Sequence, residues 1–149
     1  LYYEETLESP GIILDPDKNT FRFWGKSFQE KAKKFYEPIL NWFDEYLQNP
    51  NDESVFEFRL DYYNSASATQ ILEILYLIEK LYNNNNQAKI IWKHLDIDDD
   101  MREAGLEYRE MVDVPIDIVS YVEEDWTFSA KRSIMYIIID FYLFCFNQQ

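Results

Sequence analysis

The sequence predicts an α/β domain built on a mixed, mostly parallel sheet with helices packed mainly on one face. Three observations carry this. Apolar residues alternate with polar ones in some segments and recur every three or four positions in others, the periods of strand and helix. The two kinds of segment follow one another in turn, so most strands are joined by crossovers, which makes them parallel. The clearest strand also has one polar face, so the sheet is not evenly covered on both sides.

The elements follow in order. Apolar runs at 11–14 and 20–25 flank Asp15, Pro16, Asp17, Lys18 and Asn19, a cluster of turn formers, and read as an antiparallel hairpin. After Ser27, apolar residues at Phe28, Ala32, Phe35, Ile39, Trp42 or Phe43, and Tyr46 mark a helix with one buried face. Pro38 lacks the amide proton and crowds the preceding turn, which predicts a kink or a restart with Pro38 near the first turn of a second segment. From Val55, the residues Phe56, Phe58, Leu60 and Tyr62 alternate with Glu57, Arg59, Asp61 and Tyr63, giving the clearest strand. Helical spacing returns at Ala68, Ile71, Leu72, Leu75, Ile78 and Tyr82. The asparagines at 83–86 end it, since asparagine tolerates a left-handed backbone. Residues 88–95 read as a strand, 100–111 as a helix, and 116–121 as a strand after Pro115. The predicted order is β-β-α-β-α-β-α-β.

A length of 149 residues suits one domain with a real core. The 28 acidic residues against 14 Lys and Arg leave a net charge of −14, which disfavours nucleic acid and anionic membrane surfaces. An acidic coat of this kind prefers a basic partner face and loses affinity as salt rises. Cys145 stands alone, so no internal disulfide forms, and a reducing cytoplasm is the expected compartment.

Little in the chain reads as catalytic. His94 shares parity with Ile90 and Trp92 and has no second residue at a spacing that builds a triad or a zinc site. Asp96, Asp98, Asp100 and Glu107 reproduce calcium-loop spacing, but Met101 stands where that loop needs glycine. A helix start explains them better, with Asp100 capping and Glu103 completing a capping box. Three glycines, Gly11, Gly25 and Gly105, cannot build a phosphate loop. No cofactor or metal is expected.

The segment Asn64-Ser65-Ala66-Ser67-Ala68-Thr69 sets small hydroxyl residues between the clearest strand and the most periodic helix. As capping chemistry it offers a Ser67/Gln70 capping box, or Asn64 or Ser65 one turn earlier.

Several ordered blocks carry a resemblance to a known family. They are Pro10-Gly11-Ile12, Phe23-Trp24-Gly25-Lys26-Ser27-Phe28-Gln29-Glu30, Phe35-Tyr36-Glu37-Pro38-Ile39-Leu40-Asn41-Trp42, Leu60-Asp61-Tyr62-Tyr63-Asn64-Ser65, and Trp92 with Asp98-Asp99-Asp100-Met101. Together they resemble the SiaC family of regulatory phosphoproteins, whose fold is similar to the STAS domain of anti-sigma-factor antagonists. The resemblance implies a regulator and not an enzyme. The unphosphorylated form binds and activates a diguanylate cyclase in c-di-GMP signalling, a dedicated kinase phosphorylates it, and a metal-dependent serine phosphatase resets it. The family acceptor, a hydroxyl residue after the Asn of a Leu-x-Tyr-x-Asn stretch, falls on Ser65. The chain departs from the pattern with Ser65 where Thr is usual and Ala66 where Ser is usual, which leaves Ser67 and Thr69 as alternative acceptors. The expected partner surface is Asn64, Ser65, Ala66, Ser67, Thr69, Gln70, Glu73 and Tyr76, extended by Lys80. Two other readings are a passive interaction or dimerisation module, and a small-molecule hydrolase using the acids near Asp98.

The expected division is one domain at 1–125 and an apolar extension at 126–149. Within the extension, residues 134–146 are apolar except Asp140 and too few to span a bilayer, which needs about 20. This tail is expected to pack on the open sheet face near Trp24 and Tyr63, or against a second copy of the chain.

Overall fold

The structure is a computed structural model that describes residues 1–84 and 87–123. Among these residues, six strands form one sheet in chain order: β1 (Tyr2–Tyr3), β2 (Gly11–Asp15), β3 (Thr20–Ser27), β4 (Glu53–Tyr63), β5 (Gln87–Leu95) and β6 (Ile116–Tyr121). Helices α1 (Ala32–Tyr46), α2 (Ser65–Asn83) and α3 (Asp99–Met111) supply the crossovers between β3, β4, β5 and β6, which are parallel. β1, β2 and β3 are antiparallel. The mixed, mostly parallel sheet read from the sequence is the observed one, with β1 added. Two residues of strand followed by Glu4 and Glu5 leave no alternation to read.

The hairpin turn is held by its own polar groups. Asp15 Oδ1 accepts from the Lys18 amide at 3.2 Å, and Asn19 adopts a left-handed φ of 48°. On the sheet, Ile12, Leu14, Phe21, Phe23, Phe56, Phe58, Leu60, Ile90 and Trp92 share one face with the buried residues of all three helices in a single core. The opposite face carries Arg22, Glu57, Arg59, Lys89, Lys93 and Asp117. There Lys93 pairs with Glu57 at 2.9 Å, Lys89 with Asp117 at 2.6 Å, and the Arg59 guanidinium sits 4.6 Å over the Tyr121 ring. Among the described residues, helices thus cover one side only, as the polar face of β4 predicts.

Expectations for two elements, α1 and the end of β4, are corrected. α1 runs through Pro38 as one helix without restarting, and Pro38 is its seventh residue, not part of a first turn. An interior proline costs about 3 kcal/mol, against which stands the burial of Ala32, Tyr36, Ile39, Phe43 and Tyr46 along one stripe, each worth about 1.5–3 kcal/mol for a large apolar side chain. Phe28 precedes the helix and is exposed. On β4 the alternation breaks at its end. Gly25 pairs with Leu60 but Lys26 pairs with Tyr62, so Asp61 is an extra residue in the strand. Gly25 has φ 82°, a conformation glycine alone takes readily. The shift turns Tyr62 outward, 52% exposed, and sends Tyr63 to the helix side against Trp92 and Tyr108. α2 ends inside the asparagine run as the sequence predicts, with Asn83 its last residue and Asn84 its C-cap at φ −85°; residues 85–86 lie outside the described residues.

Trp24 and Tyr63 therefore lie on opposite faces, so they do not form one landing site for the tail. The tail itself, 126–149, lies outside the described residues. Among those described, no helix is long and apolar enough to cross a membrane.

Candidate functional site

The site is the junction where β4 passes directly into α2. The Asn64 amide donates to the Ser27 carbonyl at 3.0 Å, which fixes the start of α2 to the end of β3. The Asn64 side chain caps the helix by accepting from the Ser67 amide at 2.9 Å. Asn64 is thus the cap, and the Ser67/Gln70 capping box is not formed. Ser67 is the third residue of the helix and fully buried, so its hydroxyl is spent on the interior.

That interior contact is a hydroxyl network beneath the helix start. Ser27 Oγ lies 2.7 Å from Tyr36 Oη, donates to Ser67 Oγ at 2.8 Å, and is 3.1 Å from Gln29 Oε1, which Ser67 Oγ reaches at 3.5 Å. Three hydroxyl protons and one terminal carbonyl fit the chain Tyr36 to Ser27 to Ser67 to Gln29. Burial pushes the Tyr36 phenol up to about 12, partly offset by its bond to Ser27, so the network stays neutral at ordinary pH. The network joins β3, α1 and α2 under the segment singled out in the sequence. Ser27 carried a signal for it: a polar residue on the same parity as Phe21 and Phe23 is an inward hydroxyl that requires partners.

Above the network, Ser65 is exposed as the first residue of α2, and Ala66 and Thr69 are exposed beside it. Thr69 Oγ1 donates back to the Ser65 carbonyl at 3.3 Å. Among the described residues the amides of Ser65 and Ala66 have no acceptor. No acid stands in the first turn of α2, although acids are favoured at that end and α3 opens with Asp99 and Asp100. Ser65, Thr69, Glu73, Tyr76 and Lys80 form one exposed stripe along α2, with Asn64 and Gln70 half-buried at its side. The sequence-predicted surface is thereby brought together, except Ser67, which faces inward.

The other candidates are structural. Asp98 caps α3 by accepting from the Met101 amide at 2.9 Å, two residues earlier than the cap expected at Asp100, because the helix begins at Asp99. Among the described residues no three His, Cys, Asp or Glu side chains converge as metal ligands. His94 is buried beside Ser120, with which it pairs across β5 and β6, and both line a cleft of about 500 Å³ with Asp96, Asp99 and Arg102. The ring is not built into a relay. Its Nδ1 lies 2.6 Å from the Leu95 carbonyl and not against a carboxylate, and Arg102 is paired with Glu103 at 2.9 Å.

Residues 3–121 match the family model described as SiaC family regulatory phosphoprotein. The chain belongs to the SiaC family. An uncharacterized protein of Pseudomonas aeruginosa strain UCBPP-PA14 is 22% identical over 123 residues, covering 83% of this chain and 98% of that protein. The fold is also that of solved SiaC structures. The apo-SiaC crystal structure from Pseudomonas aeruginosa superposes with a TM-score of 0.74 at 22% identity, covering 80% of this chain and 98% of that one. A structure of the diguanylate cyclase SiaD in complex with its activator SiaC, from the same organism, gives 0.75 at 21% identity, covering 81% and 99%. The SiaC match ends at Tyr121, where β6 ends.

Proposed function

We propose that this SiaC-family chain is a phosphorylation-controlled partner switch. Its unmodified form binds and activates a diguanylate cyclase. A kinase phosphorylates Ser65, the modified form releases the cyclase, and a metal-dependent serine phosphatase restores the hydroxyl. The family is one of regulatory phosphoproteins, and the related SiaC is an activator found in complex with a cyclase.

The observation that carries the assignment to Ser65 is its place as the exposed first residue of α2, beside two amides with no acceptor among the described residues and a first turn free of acid. A phosphate adds about −1.5 to −2 charge and three acceptor oxygens, which those amides and the positive helix end receive. The α2 start therefore accepts the modification without unfolding, and its effect falls on the partner surface of Asn64, Ser65, Ala66, Thr69, Gln70, Glu73 and Tyr76. Thr69 is the other exposed hydroxyl, but it lies one turn in, away from the free amides. Ser67 would have to leave the core to be modified.

Phosphosite mapping by mass spectrometry on the protein purified from its native host tests the assignment. Phosphate on Ser65 is the expected result, and phosphate confined to Thr69 or to another element would overturn it.

A further inference from the structure

A concentrated basic surface of this acidic chain adjoins the switch. Lys31, the N-cap of α1, and Lys33 and Lys34 in its first turn line a groove of about 500 Å³ with Glu37, Leu40 and Gln70. Gln70 belongs to α2, so the groove runs between the two helices. All three lysines are exposed, and among the described residues none is ion-paired. Glu37 is the only acid among the described residues that line the groove, which leaves a surplus of two positive charges beside the half-buried Leu40. The −14 of the whole chain does not describe this place. At physiological salt, charges more than about 8 Å away are largely screened, so a ligand in the groove meets the lysines first.

We propose that this groove seats an acidic amphipathic segment of the partner protein, its carboxylates on Lys31, Lys33 and Lys34 and its apolar side on Leu40. The proposal rests on the partner-switch reading and explains the sign of the switch. Gln70 is five residues from Ser65, about 7.5 Å along the helix axis. A phosphate on Ser65 therefore stands within about one Debye length of the groove and repels the acidic segment that the lysines attract. The basic partner face expected from net charge is replaced here by an acidic one.

The test uses the full chain and a labelled helical Glu/Leu peptide, with a Gln-for-Glu version of the same length, read by fluorescence anisotropy. The Glu/Leu peptide binds more tightly than its neutral version, and Lys33→Glu/Lys34→Glu weakens it at least tenfold. Lys18→Glu/Lys89→Glu makes the same change in net charge elsewhere and weakens it less than twofold. Equal binding of the two peptides, no binding of either, or an equal loss in both double variants overturns the groove. Urea unfolding of each variant confirms that it is folded. In a second arm, Lys33→Glu/Lys34→Glu reduces capture of the host's diguanylate cyclase at least tenfold. Undiminished capture overturns the groove but leaves the cyclase reading standing. A wild-type chain that captures no cyclase overturns that reading, while the peptide arm still decides the groove.

Discussion

Removing one hydroxyl from the network beneath α2 has a cost that depends on which proton is stranded. In Ser27→Ala, the Tyr36 phenol, 1% exposed and 2.7 Å from Ser27 Oγ, loses its acceptor. A buried donor without a partner costs about 1–3 kcal/mol, and the lost bond to Ser67 raises the expected total to about 2–3 kcal/mol. Ser67→Ala strands nothing, because the Ser27 proton turns to Gln29 Oε1 at 3.1 Å, so its cost is about 0.5–1.5 kcal/mol. In Ser27→Ala/Tyr36→Phe the stranded donor is gone, and the double variant loses about 1 kcal/mol less than the sum of the single ones. Urea unfolding followed by tryptophan fluorescence and far-UV circular dichroism measures these differences. At a slope of about 2 kcal/mol per molar urea, Ser27→Ala moves the midpoint by about 1 M. A loss in Ser27→Ala no larger than in Ser67→Ala, or strict additivity in the double variant, refutes the proton chain drawn here.

Three further outcomes follow from the same geometry. Asn64→Ala removes the α2 cap and leaves the buried Ser67 amide without an acceptor; a loss of about 1 kcal/mol and faster hydrogen exchange at that amide are expected, with Asn64→Asp retaining most of the cap. Tyr36 ionises near 12 when folded against an ordinary 10.0, so its contribution is fully present below pH 10 and is lost as pH rises toward 12. Burial raises Tyr63 and Tyr108 as well, so Tyr36→Phe should lessen the alkaline loss of stability without abolishing it, and identical pH profiles for the two proteins would contradict the shift. At Gly105 an added Cβ meets Trp92 Nε1 at 2.8 Å and Ile118 Cδ1 at 2.9 Å, so Gly105→Ala should displace the indole that donates to the Met101 carbonyl, cost about 1–3 kcal/mol and alter tryptophan emission.

The regular part of this fold was legible because periodicity and turn chemistry act locally. β6 spans the predicted residues, and β5 and α3 begin one residue early. The failures lie where tertiary structure overrides local preference. Pro38 is carried within α1 by the burial of its neighbours, and the extra residue at Asp61 reverses the C-terminal end of β4 so that Tyr63, not Tyr62, packs against the core. The caps show the same limit. Several Asn, Ser or Asp residues stand near the starts of α2 and α3, and only the backbone path decides that Asn64 and Asp98 do the capping. At the candidate site, the exposed stripe from Ser65 to Lys80 follows from helical spacing alone, whereas Ser67 belongs to the interior because Ser27, 40 residues away in the chain, meets it there. The lysines at 31–34 were visible as letters, but a groove requires α2 to lie alongside.

The most direct test of the switch is the affinity of the host's diguanylate cyclase for the full chain in two states, unmodified and stoichiometrically phosphorylated on Ser65, measured by calorimetry at physiological salt. The unmodified chain should bind and stimulate the cyclase, and the phosphoprotein should bind at least tenfold more weakly. Equal affinity of the two states, or tighter binding by the phosphoprotein, would contradict the account.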